Sequence, residues 1–207
     1  MLPSPPFSFP RYDRAVRKFR VRVYDPELNE VVVEIVNSWR VRFRCPHCGK
    51  VFTVYPPFAI PYKRFVTQDV LQRVNLYLEA ARNPERKGKP MIYRYGDTLK
   101  EQNVPLSYRS EENGHAGNLS RSTVWRWVGW LGSLIQERKD AIRLILEKDP
   151  KTDIHRKQYP IPKTMYRSNG RLRTLERAAS MLDVVDAFTS LFGVRFFTRY
   201  ATLQAAR

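Results

Sequence analysis

From Phe19 the chain alternates apolar and basic side chains, with Phe19, Val21 and Val23 on one face of a strand and Arg20 and Arg22 on the other. Turn residues Asp25-Pro26-Glu27-Leu28-Asn29 follow, and Val31 to Val36 supplies a return strand. Alternation resumes over Trp39 to Arg44, where Trp39, Val41 and Phe43 oppose Arg40, Arg42 and Arg44. A second turn, Cys45-Pro46-His47-Cys48-Gly49-Lys50, leads into a strand over Val51 to Tyr55. The pattern predicts two hairpins in series, a small antiparallel ribbon. Residues 1–18, rich in Pro and aromatic side chains at their start, are read as an extended arm.

Pro56, Pro57 and Pro61 end the ribbon as a rigid connector, and the period then changes to that of helices. Thr67 caps a helix through about Arg82, with Val70, Leu71, Val74, Leu78 and Ala81 on its buried side. Residues 83–89 are a charged break. The stretch 90–118 is weakly periodic, with a short helix over Tyr95 to Gln102 and a loop over Glu111 to Asn118. Ser120 caps a helix to about Glu137, and another spans Lys139 to Lys148 before Asp149-Pro150. Residues 150–170, with three Pro and little periodicity, read as a linker. A last helix runs from about Arg171 to Leu191, with a stop near Gly193 and a continuation over Val194 to Leu203. Its stripe of Leu175, Ala178, Leu182, Val185 and Leu191 is either core or a self-association face, the latter implying a homo-oligomer. The expected fold is α+β: N-terminal antiparallel, zinc-ribbon-like hairpins (19–56), a helix-turn-helix-type helical domain (62–149), the linker, and C-terminal helices (171–207).

Charge narrows the function. The chain has 207 residues, 37 Lys plus Arg and 20 Asp plus Glu, a net charge of +17. Such a surface releases counterions from a polyphosphate and so binds nucleic acid, without distinguishing DNA from RNA. A 43% hydrophobic and 13% aromatic composition excludes wholesale disorder. No apolar run is long enough to span a bilayer, and the start lacks the apolar core of a signal peptide. Two Cys cannot build a disulfide scaffold, which points to a reducing compartment. The expectation is a cytoplasmic protein without a membrane partner, associated with the nucleoid if the source is a bacterium.

Two motifs carry chemistry. In the Cys45-Pro46-His47-Cys48-Gly49-Lys50 turn, two thiolates would take adjacent corners of a tetrahedral zinc site while Gly49 lets the backbone fold beneath. The preceding turn, where a partner pair belongs, holds no Cys or His. The motif is therefore either a metal-free remnant of a ribbon or a zinc site completed from elsewhere, by His115, His155 or a second chain. The other motif is Leu119-Ser120-Arg121-Ser122-Thr123-Val124-Trp125-Arg126-Trp127-Val128. Short hydroxyls and Arg in the first turn suit a helix that presents its N-terminus to the major groove. Ser120, Arg121, Ser122 and Thr123 provide them, with Arg126 one turn on. Val124, Trp127, Val128 and Leu131 would pack inward, and the helix N-terminus adds a phosphate-binding dipole end.

Taken in order, the Arg40–Thr53 ribbon with its Cys pair, the Pro connector with Tyr62-Lys63-Arg64-Phe65, and the Ser120–Trp127 helix resemble the N-terminal DNA-binding region of insertion-sequence transposases. They resemble equally the small stand-alone relatives that keep only that region. The resemblance covers roughly residues 19–135. It implies a zinc ribbon joined to a helix-turn-helix that binds transposon-end or other duplex DNA. This chain lacks the first Cys pair, and residues 83–118 stretch the helical unit. Transposases of this kind cut with three acidic residues on a ribonuclease-H-like sheet. Here the late acids Asp149, Asp153, Glu176, Asp183 and Asp186 lie on a Pro-rich segment and helices, so no enzyme is expected.

The expected function is duplex-DNA binding. Arg20, Arg22, Arg40, Arg42 and Arg44 of the ribbon and Lys63 and Arg64 of the connector would hold the backbone, and the Ser120 helix would read bases. Two rivals stand beside it: an adaptor recruiting a transposase or CRISPR-type effector, and an RNA-binding protein stacking bases on Phe43, Phe52 and Tyr55.

Overall fold

A computed structural model describes residues 11–25, 30–56, 58–60, 63–102, 104, 107–110, 116–194 and 196–197. Residues 1–10, 26–29, 57, 61–62, 103, 105–106, 111–115, 195 and 198–207, among them Gly114 and His115, lie outside the described residues.

Strand β1 (Arg11–Asp25) pairs antiparallel with β2 (Glu30–Arg44), in register from Asp25↔Glu30 to Asp13↔Arg42. β1 begins inside the segment expected as an arm. β2 joins what the pattern reads as two strands, because Asn37 and Ser38 stay paired with Lys18 and Arg17. Main-chain hydrogen bonds hold such a ladder whatever the side chains. β3 (Val51–Val54) pairs antiparallel with Val41 to Arg44 of β2. An N-terminal antiparallel sheet of three strands followed by helices makes the fold α+β, as the alternation predicts.

The helices begin with α1 (Thr67–Arg82). Thr67 is its first residue rather than its cap, and its hydroxyl donates to the Phe58 carbonyl at 2.9 Å. After a short 3-10 turn at Pro84–Arg86 comes α2 (Met91–Glu101), which starts four residues before the predicted helix. The weakly periodic stretch contributes two short strands, the second of them inside the segment predicted as loop. β4 (Ser107–Ser110) lies parallel to β2 through Val32↔Arg109, and β5 (Ala116–Asn118) returns antiparallel to β4. A strand pair therefore separates α2 from α3 (Arg121–Ser133), and no tight turn joins the two helices. α4 (Ile135–Lys148) follows a break at Leu134, four residues before the predicted one. α5 (Asn169–Phe192) closes on Gly193, whose φ of +64° completes a left-handed stop.

Helical periodicity places the core. Val70, Val74 and Leu78 of α1, Val124, Val128 and Leu131 of α3, and Leu175, Ala178, Leu182 and Val185 of α5 are all buried in one cluster. The stripe on α5 is therefore largely core, since four of its five members are buried here. Residues 150–168 are no linker. Ile154 and Ile161 are buried in that same cluster, with Thr164 and Arg167 also buried. Proline suppressed the helical period there without removing the apolar anchors. Val33 of β2 joins the main core, while Phe19 of β1 packs edge-on to Phe58, ring centroids 5.4 Å apart, over Ala59 and Val66. Among the described residues, no helix is long and apolar enough to cross a membrane.

Candidate nucleic-acid interface

The ribbon arginines fall into different environments. Arg22 turns toward α1: its Nε donates to Asp69 Oδ1 at 2.9 Å, and its main-chain N–H donates to Asp69 Oδ2 at 3.1 Å. Its Nη2 also donates to Gln72 at 2.6 Å. With both charged side chains at or below 10% exposure, this pair ties the sheet to the helices and does not face solvent. Arg42 forms a two-pronged pair with Asp13, and that bond holds the Asp13 carboxyl below its usual range. Arg20 is half-buried, its guanidinium 5.9 Å from the Phe65 ring centroid. Arg40 is half-buried and Arg44 exposed.

The connector residues divide as well. Arg64 is exposed, whereas the Lys63 ammonium sits 5.2 Å from the Trp130 ring centroid, where burial pulls its pKa down. The ribbon also carries an aromatic-cation pair that the alternation did not single out: Arg14 lies 4.7 Å over Trp39, which is 51% exposed.

The first turn of α3 is built as a cap with a free edge. Ser120 Oγ accepts the Thr123 N–H at 3.2 Å and contacts the Ser122 and Thr123 hydroxyls at 2.9 and 3.0 Å. Ser120 and Thr123 are thus committed to the cap. Arg121, Ser122 and Arg126 stay exposed, while Val124, Trp127, Val128 and Leu131 are buried as their spacing requires.

Beside that turn lies a cleft of about 340 Å³, within the usual small-ligand range of about 300–1,000 Å³. Arg94, Arg121, Arg167 and Arg171 line it, and no Asp or Glu does. Arg94 is 1% exposed, with Nη2 donating to the Ala81 and Asn83 carbonyls at 2.8 and 2.7 Å. Its Nε and Nη1 have no partner among the described residues. Burial, then repulsion from Arg167 and Arg86, lowers its pKa to about 10. Arg167 is also buried, anchored by Nη1 to the Pro162 carbonyl at 2.8 Å, and burial lowers its pKa. Burial pushes the Tyr77 hydroxyl up against the opposing pull of Arg121, Arg167 and Arg171. Of these arginines the sequence pattern marked only Arg121. The others sit on α2, the 150–168 strap and α5, and no local spacing links them.

The Cys turn has the shape of half a metal site. The Cys45 N–H donates to the Lys50 carbonyl at 2.8 Å, the Gly49 N–H to the Cys45 carbonyl at 2.9 Å, and Gly49 adopts φ +68°. Cys48 is exposed and Cys45 half-buried, its thiol lowered chiefly by main-chain hydrogen bonds from Cys48 and His47. Among the described residues no group of three ligands surrounds a common point, so the pair does not complete a tetrahedral zinc site there. His155 is exposed on the strap, and His115 lies outside the described residues.

Two of the late acidic residues, Asp149 and Asp183, are held by hydrogen bonds. Asp183 accepts from Lys157 and, at 3.0 Å, from the Tyr159 hydroxyl. Asp149 accepts the Lys151 N–H at 3.2 Å. Burial, helped by Asp183, raises Asp186 above the usual carboxylate range. No protein-family model matches the chain, and no curated protein or solved structure matches it.

Proposed function

We propose that the chain binds duplex DNA through the N-terminal end of α3, with Arg121, Ser122 and Arg126 set toward base edges. The observation that carries this reading is the exposure of those three side chains on a helix whose Val124, Trp127, Val128 and Leu131 are buried, in a chain of net charge +17. Arg40, Arg44 and Arg64 supply backbone contacts. Arg22 and Arg42 leave that list because each already serves an ion pair. In this reading the relationship to mobile-element DNA-binding proteins rests on the ribbon, connector and helix order alone. The chain carries out no cleavage itself. The RNA platform finds less support, since the Tyr55 hydroxyl accepts from Arg17 at 3.3 Å and that guanidinium covers its ring.

The test is anisotropy of a labelled duplex across a salt series, with wild type and the Arg121→Ala/Arg126→Ala double variant. Duplex binding with a slope of about −0.9 per neutralised phosphate is expected. Each lost base contact should cost about 1–3 kcal/mol and blunt sequence preference. Unchanged affinity and preference in the double variant would remove α3 as the reader. Weak duplex binding by the wild type would return the charge to a protein or RNA partner.

A further inference from the structure

The cleft beside α3 is more than a patch of positive charge. Its walls include the first residues of three helices: Pro90, Met91 and Ile92 at the start of α2, Arg121 and Ser122 at the start of α3, and Arg171 at the start of α5. Contacts between α3 and α5 run in the same direction. Trp125 faces Arg171 near both N-termini, and further along a Cβ on Gly132 would meet Thr174 and Ala178. Two positive dipole ends therefore meet at the cleft, and α2, whose N-terminus has no side-chain cap, adds a third.

Buried donors point the same way. Arg94 Nε and Nη1 and the Thr164 hydroxyl have no partner among the described residues, and both residues line the cleft. Leaving such groups unpaired is costly, and more so when they are charged. Among the described residues no carboxylate neutralises Arg94, Arg121, Arg167 or Arg171. Four guanidiniums gathered with no carboxylate partner among the described residues favour an anion from outside. Guanidinium forks match phosphate oxygens in pairs, and a doubly charged terminal phosphate gains more here than a singly charged internal phosphodiester. Trp125, Tyr166 and Ile92 line the cleft's remaining wall and supply apolar area for the group that bears the phosphate.

We infer that this cleft binds the terminal phosphate of a nucleotide, Arg94 and Thr164 receiving it at the floor and Arg121, Arg167 and Arg171 closing around it. The nucleotide is either a strand end or a free mononucleotide. If it is a strand end, the inference rests on the DNA-binding reading and refines it to DNA termini.

The experiment compares binding of short duplexes carrying a 5′-phosphate, a 3′-phosphate or only hydroxyl ends, together with AMP and adenosine, at physiological ionic strength. An affinity gain of about tenfold or more for one phosphorylated end marks the strand terminus as the source. Binding of AMP but not adenosine, without an end preference, marks the free nucleotide. Either preference should disappear in Arg171→Glu, an exposed position at which folding is expected to survive. Arg94→Met should abolish it too, with circular dichroism and melting checking that this buried variant folds. Equal affinity for all duplex ends together with no AMP binding overturns the inference while leaving duplex binding intact. AMP binding without duplex binding overturns the DNA reading and leaves the pocket. A phosphate preference that persists in Arg171→Glu places the phosphate elsewhere and also overturns the inference.

Discussion

Arg22 and Arg121 illustrate how surroundings give one residue type opposite roles. Arg22 alternates with Val21 and Val23 as a solvent-facing strand residue should, yet α1 packs over that face and offers Asp69. Arg121 opens a helix whose first turn stays in solvent. Removing Asp69 strands a buried guanidinium, so Asp69→Ala should destabilise the protein by about 3–5 kcal/mol in denaturant unfolding. In Arg22→Ala the duplex-DNA salt slope of the folded fraction should not change, because Arg22 is held by Asp69 and gives no phosphate contact; a reduced slope in that variant would return Arg22 to the interface. Residue identity was legible in both cases. The partner that decides each role lies 47 positions away for Arg22 and could not be read from local spacing.

Among the elements, α1 was placed at both ends from sequence and α3 at its start, because apolar spacing and the Ser120 cap are local signals. The end of α3 was not. The break at Leu134 and the close approach to α5 depend on tertiary packing. A Cβ built on Gly132 would lie 2.8 Å from the Thr174 carbonyl oxygen and 3.4 Å from the Ala178 nitrogen, both main-chain atoms that cannot swing aside. Gly132→Ala should therefore destabilise by about 1–3 kcal/mol and lower Tm, although alanine is the better helix former. An unchanged or raised Tm would show that α3 and α5 do not approach so closely. The strands β4 and β5 escaped sequence reading for a related reason. They are four and three residues long and owe their place to the edge of β2, a non-local partner.

At the scale of the whole molecule, the segments that looked like ribbon, helical domain, linker and C-terminal helices share buried contacts. One apolar cluster runs from Val33 of β2 through Ile154 and Ile161 of the strap to Phe188 of α5. A single cooperative unfolding transition is expected, with calorimetric and van't Hoff enthalpies in agreement. Two resolved transitions, or preferred proteolysis within 150–168 of the folded protein, would show that the strap behaves as a linker. The same packing assembles the arginine cleft, since it brings α2, the strap, α3 and α5 to one place.

The sequence by itself determined the α+β class, the antiparallel ribbon, the extent of α1, the capped start of α3 and the excess of positive charge. Each is written in short-range periodicity, turn chemistry or composition, which act between near neighbours in the chain. Only the tertiary structure decided which arginines are held in ion pairs, that the Pro-rich strap is core, and that Arg94, Arg121, Arg167 and Arg171 surround one cleft. Burial and charge clustering arise between residues far apart in sequence, so they become visible only once the chain has closed on itself.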